Sequence, residues 1–299
     1  MTESIWDHEN ANCNIGNFKI DRVVDLERLS YSYGSMIPDA DPKVLSKLVE
    51  EMGSRLITPG TLDLSLSFHS FLIRSHKYTI LVDTCCGNGK NRPNRVDWHL
   101  RDGPFLNNLS ARGVKPEDVD IVMCTHLHAD HVGWNTIMDN GDWVPTFPNA
   151  QYLFAESEYD FWIKEQKNSS SPILLGSYED SVLPIMQSGQ GKLVDSNYQI
   201  ETGLNFEPAY GHTPGSIILH VEEGGREAIV CGDVMHHPVQ VRYPDWSSAF
   251  CEDPILSAKY RWDMLTRFSG TGAIILPAHF LSPFYGPIEK ERNGFRTII

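Results

Sequence analysis

Short apolar runs broken by glycine, proline and asparagine turns set the pattern of this chain. In residues 64–68, Leu64, Leu66 and Phe68 alternate with Ser65 and Ser67, the two-residue period of a strand with one face in a core. Residues 18–20, 71–73, 78–82 and 119–124 read as further strands of the first half. Residues 152–154, 192–194, 204–208, 217–221, 228–231 and 273–276 supply those of the second half. Helices are predicted over residues 42–52, where Asp41 caps and Pro42 takes the first position, and up to Gly113 through residues 107–112. Others cover 156–166, 178–187 and 253–268, the last opening on Asp253-Pro254.

Strands outnumber helices and recur between them, so two packed sheets with helices outside are expected, in the α+β class. No solenoid repeat, low-complexity tract or Pro/Gly/Ser-rich linker divides the 299 residues, and residues 1–299 read as one domain. The apolar fraction of 41% and charged fraction of 21% are ordinary for a globular protein and change nothing in this picture. Charge changes more. With 39 acidic against 25 basic residues the net charge is -14, which repels phosphate backbones and anionic lipid. Nucleic acid and membrane partners are therefore not expected, and a small-molecule substrate is. The polar start and the lack of a long apolar stretch predict a cytoplasmic location. Six cysteines show no Cys-x-x-Cys spacing and fit a reduced compartment, with Cys124 and Cys231 as buried hydrophobes and Cys85-Cys86 in a turn before Gly87.

The candidate chemistry sits just after the apolar run Ile121-Val122-Met123-Cys124. There His126, His128, Asp130 and His131 place four ligand-type side chains within six positions at a strand end. Neutral imidazole and carboxylate are the donors that borderline divalent cations such as zinc prefer. The same grammar of apolar strand, tight turn and one ligand-capable side chain recurs at Gly211-His212, Gly232-Asp233 and Ala278-His279. Asp83 repeats it after Leu81-Val82 and is expected to orient a liganding histidine from behind. A lone His or Asp after a strand is usually a turn former. Their joint occurrence with the histidine cluster is what carries information.

These segments, His126-x-His128-x-Asp130-His131, Gly211-His212-Thr213-Pro214-Gly215, Gly232-Asp233 and Ala278-His279 in that order, resemble the metallo-β-lactamase superfamily from Phe71 to His279. The resemblance implies an αββα sandwich of two mixed β-sheets with helices on the outer faces and metal at one edge. It implies that His126, His128 and His212 hold one ion, that Asp130, His131 and His279 hold a second, and that Asp233 bridges them. A bridging aspartate makes the chain more similar to the dinuclear hydrolases, namely acyl-homoserine lactonases, glyoxalase II-type thioesterases and methyl parathion hydrolase-like enzymes. In such a family residues 1–60 form an N-terminal extension, and residues 36–59 within it can serve as a lid or dimer contact, which leaves a homodimer open.

The activity so implied is hydrolysis of a small, partly apolar ester, lactone or organophosphate by a hydroxide bridging two divalent ions, most simply Zn2+. No Gly-x-Ser-x-Gly elbow offers a competing nucleophile. Asp130, Asp233 and His236 are the expected catalytic residues. His236 stands where related lactonases carry a tyrosine, three positions past the bridging aspartate, and is read either as a donor to the leaving group or as a supporting imidazole. His237 is read as structural. Trp134, Trp246, Phe280, Phe284 and Tyr285 are candidates for an apolar substrate wall. Glyoxalase II-like thioester cleavage, hydrolytic dehalogenation and a metal-binding scaffold without turnover remain as alternatives.

Overall fold

The computed structural model describes Asp7, residues 11–283 and residues 285–298. The first sheet opens with the hairpin β1 (Asn12–Ile15) and β2 (Phe18–Tyr31), and β2 pairs antiparallel with β3 (Leu64–Arg74). β4 (Thr79–Val82) follows antiparallel, and β5 (Ile121–Met123) joins it in parallel. A separate hairpin, β6 (Thr136–Asp139) and β7 (Asp142–Pro145), precedes β8 (Gln151–Ala155) and β9 (Gly191–Val194), which extend the sheet in parallel to seven strands. The second sheet runs β10 (Gln199–Glu201), β11 (Leu204–Pro208), β12 (Ile217–Glu223) and β13 (Arg226–Gly232), all antiparallel, then β14 (Ile274–Pro277) parallel to β13. A C-terminal hairpin pairs β15 (Ile288–Glu291) with β16 (Gly294–Thr297).

Side-chain alternation explains the layering. Ile80, Val82, Ile121, Met123 and Leu153 enter a core shared with Leu219, Val221, Ile229 and Ile275 of the second sheet. Their neighbours Leu81, Val122, Tyr152 and Phe154 point the other way, into a second core with Phe105, Leu109, Trp162 and Ile185 of the covering helices. On the far side, the helix Pro254–Phe268 brings Met264, Leu265 and Phe268 to the second sheet. The chain therefore has the mixed α and β layering expected. No helix among the described residues is long and apolar enough to cross a membrane.

Local chemistry sets the helix starts. Asp41 accepts from Lys43 N at 2.8 Å ahead of Pro42, and Asp253 accepts from Leu256 N at 2.9 Å ahead of Pro254. The sequence pattern does not mark β1, β6, β7, β10, β15 or β16, and three of the elements it does mark differ in the structure. Residues 64–68 and 71–73 are one strand, and Ser65 and Ser67 on its polar side are buried at 3% and 0% exposure. Ser67 is satisfied there by Arg22 and His69, so its polarity does not mark solvent. Residues 18–20 are only the start of β2, whose later half carries Asp25, Glu27 and Arg28 through register shifts that mask the two-residue period. The segment 178–187 begins as a π-helical turn over Tyr178–Val182 before the α-helix Leu183–Gln187.

Candidate metal centre

The parallel strands of both sheets end at one edge, and the ligand-type residues all follow those ends or the end of β11. β4 leads to Asp83. β5 leads through His126 and His128 into the short helix Ala129–Val132, which carries Asp130 and His131. β11 leads to His212, β13 to Asp233 and β14 to His279. Gly232 turns the chain into the site at φ +47°, where an added Cβ would lie 2.7 Å from Thr125 Oγ1.

Two groups of donors result, His126, His128, His212 and Asp233 in one and Asp130, His131 and His279 in the other. In the first, His126 Nε2, His128 Nδ1 and His212 Nε2 stand 2.9–3.1 Å from one another. Asp233 Oδ2 lies 3.2 Å from His212 Nε2 and 3.7 Å from His126 Nε2. Nitrogens about 2.0–2.1 Å from a tetrahedral cation are separated by roughly 3.3 Å, so this spacing is that of one ligand shell. In the second group Asp233 Oδ1 lies 3.3 Å from His131 Nε2 and 3.0 Å from His279 Nε2. Asp130 Oδ2 is 3.9 and 3.7 Å from the same two nitrogens. Asp233 thus turns one oxygen to each group.

The far nitrogens explain why these rings face inward. His131 Nδ1–H donates to Asp83 Oδ2 at 2.8 Å, and His279 Nδ1–H donates to the Ser67 carbonyl at 2.9 Å. His126 Nδ1 meets Thr125 Oγ1 at 3.1 Å, and His212 Nδ1 meets Cys251 Sγ at 3.5 Å. Asp83 itself is anchored by the Thr125 backbone N–H and hydroxyl. Each anchor fixes a tautomer that leaves Nε2 free, while His128 presents Nδ1.

Burial, reinforced by neighbouring imidazoles, holds His126 and His128 well below the usual histidine range, so both offer lone pairs. For His131 burial works downward but Asp233, Asp83 and Asp130 outweigh it and raise the ring well above that range. Burial likewise pulls on His212, yet Asp233 lifts it to about 9. Burial would push the Asp233 carboxyl up, but His279, His131, His236 and His212 together hold it far below. His131 Nε2 and Asp233 Oδ1 are buried without a hydrogen bond. Orphaned donors of these types around one carboxylate fit a pair of divalent cations.

His236 is 2% exposed, stacks on His279 at 5.7 Å and 12°, and places Nε2 3.1 Å from Asp233 Oδ2 without hydrogen-bond geometry. Burial lowers it to about 4 despite that carboxylate. It is buried within the site, not solvent-exposed. His237 donates Nε2–H to the Leu56 carbonyl at 2.7 Å. Met36 accepts from Ala249 N through its carbonyl, so residues 36–56 pack on the segments that follow Asp233.

A cavity of about 410 Å³ opens over the donors. Its aromatic wall is Tyr31, Phe68, Trp98, Trp162 and Phe250, and among the described residues none of the aromatics expected from sequence lies on it. Trp134 instead stacks on Phe105 at 5.4 Å in the second core, Trp246 stacks on Tyr243 at 4.5 Å, and Phe280 and Tyr285 are buried in the first core. Phe284 lies outside the described residues.

The profile of the metallo-beta-lactamase superfamily matches residues 69–279. The chain belongs to that superfamily. An N-acyl homoserine lactonase of Bacillus cereus is 24% identical over 184 residues, and one from a Bacillus species is 26% identical over 182. Each match covers 56% of this chain and 64% of the relative. Among solved structures, the hydrolase AbOPH superposes with a TM-score of 0.81 at 22% identity, covering 96% of this chain and 97% of its own. AidC, a dizinc quorum-quenching lactonase, gives 0.76 at 21%, covering 96% of both. These likenesses establish the superfamily fold.

A carboxylate beside these donors also escaped the sequence reading. Glu158, on the helix Glu156–Asn168, is 1% exposed and accepts four hydrogen bonds. Oε1 takes Leu127 N at 3.0 Å and Trp162 Nε1 at 2.7 Å, and Oε2 takes Thr213 Oγ1 at 2.7 Å and Gly215 N at 3.0 Å. It ties the His126–His128 loop to the His212 turn. The available signal was a carboxylate four positions before Trp162, on the apolar side of its helix.

Proposed function

We propose that this chain is a dinuclear metal-dependent hydrolase of small, partly apolar esters and lactones, with organophosphate triesters as the phosphoryl counterpart. The observation that carries the reading is Asp233, one carboxylate oxygen turned toward each group of buried donors. His126, His128, His212 and Asp233 would hold one ion, and Asp130, His131, His279 and Asp233 the other, with Zn2+ suited to the donor set. When bound, the pair supplies Lewis acidity and water of lowered pKa.

The remaining work falls to the protein. The aromatic wall excludes water and receives the apolar part of the substrate. Asp130, the more exposed of the two aspartates and a lining residue of the cavity, is placed to hold a proton at Oδ during attack and return it to the departing oxygen. His236 lines the same cavity, packed on His212 and His279 with Nε2 3.1 Å from Asp233 Oδ2, and would act on the reaction by setting the position of that carboxylate. The N-acyl homoserine lactonase relatives support the carbonyl form of this reading.

The test is metal analysis joined to a panel of aryl esters, acyl lactones and a paraoxon-type triester. About two ions per chain, with turnover abolished by chelation and regained on adding zinc, is the expected result. Two ions with no turnover on any compound would make the chain a scaffold. One ion or none would remove Asp233 from its bridging role.

A further inference from the structure

We infer that Arg95 forms an anion-recognising subsite of the cavity, selecting substrates whose end remote from the reacting carbonyl carries a carboxylate. The inference rests on the hydrolase reading and names its substrate class. Arg95 lies in the loop between β4 and the helix Phe105–Ala111 and lines the cavity. Its guanidinium carbon sits 5.6 Å from the Trp98 ring centroid and 5.2 Å from that of Phe250. Two aromatic faces hold a planar cation through its π surface and leave the N–H groups at its edge available.

The loop itself is rigidly tied. Arg95 N donates to the Arg92 carbonyl, and its own carbonyl accepts from Trp98 N and His99 N. Arg92 is engaged bidentate by Asp180 at 2.6 and 2.8 Å, and Arg101 by Asp25 at 2.5 Å. Arg95 differs from these two loop arginines: among the described residues no carboxylate pairs with it. In a chain of net charge -14 an unpaired guanidinium on a cavity wall is a place for a ligand's negative charge.

The wall also fixes where that charge belongs. His279 meets Phe68 edge-on at 4.8 Å, Phe68 meets Trp98 at 5.5 Å, and Trp98 carries Arg95. A substrate with its carbonyl at the metal donors lays an apolar middle along Phe68 and Trp98 and reaches Arg95 with its far end. Glu252, the other charged lining residue besides the two aspartates, is exposed and makes no ion pair with Arg95.

The experiment compares mono-4-nitrophenyl esters of glutaric, adipic and suberic acids with 4-nitrophenyl alkanoates of matched length, on zinc-loaded protein. The readout is the ratio of kcat/KM for charged over neutral ester. Arg95→Gln is expected to lower that ratio about 10- to 100-fold, the value of a hydrogen bond to a charged group, mainly through KM, and Arg95→Lys to restore part of it. A ratio unchanged within about twofold in Arg95→Gln overturns the inference. Turnover of neither ester overturns the hydrolase reading instead. Calorimetric Kd values for the same intact esters then carry the same ratio, with the same two outcomes.

Discussion

Glu158→Gln is nearly isosteric and removes only the charge and one oxygen, yet it should loosen half of the metal centre. The carboxylate is fully buried and accepts from four donors, of which Leu127 N, Trp162 Nε1 and Gly215 N cannot reverse their role. Thr213 Oγ1 alone can rotate and accept instead. The amide nitrogen of glutamine will therefore turn toward Thr213 and leave Gly215 N without an acceptor. An orphaned buried donor costs about 1–3 kcal/mol, and the bonds that remain fall from charge-assisted to neutral strength. Release from burying a charge offsets part of this. The net expectation is a loss of about 2–4 kcal/mol, a large share of ordinary domain stability. Chemical denaturation of chelator-treated protein measures it free of metal linkage. Because Glu158 ties Leu127 to the Thr213–Gly215 turn, zinc affinity at the His126, His128 and His212 group should also fall about 10- to 100-fold. Stability within about 0.5 kcal/mol of wild type together with unchanged zinc affinity would refute the reasoning.

Asp233→Ala should lose metal from both donor groups and all hydrolysis, whereas His236→Ala should keep both ions and change rate or substrate preference; elemental analysis of the two purified variants decides. Gly232→Ala forces a side chain into left-handed backbone and against Thr125, and should cost about 2–4 kcal/mol by urea denaturation. His220 contacts Glu207 at 2.9 Å and Glu227 at 2.7 Å. Burial alone would lower it, but those two carboxylates hold it up at about 9, above the ordinary 6.5. Its contribution is thus complete below about 6.5 and fades as pH rises through about 9; discounted for its partial exposure it is about 1–2 kcal/mol. His220→Gln should flatten the wild-type decline in melting temperature across that window, and an equally steep decline in the variant would exclude His220 as its cause.

Local pattern and spacing carried much of this protein. Leu64, Leu66 and Phe68, the proline-led helix starts and the short-range histidine cluster could each be read because neighbours in sequence shared one element and one face. The same strand-end pattern marked His212, Asp233 and His279, far from His126 along the chain, and the resemblance then grouped them with it. Pattern failed where tertiary contacts reassign a side chain. Polar Ser67 is buried because Arg22 and His69 satisfy it, and Trp134, adjacent to the cluster in sequence, turns into the opposite core against Phe105. Glu158 at the hinge of two ligand loops had only its place on the apolar side of its helix, four positions before Trp162, and Arg95 between Trp98 and Phe250 had no local signature. Residue periodicity records which face of a strand avoids water. Which strand ends meet, and what lines the cavity between them, depends on how two twisted sheets stack across hundreds of residues, and only the folded chain decides that.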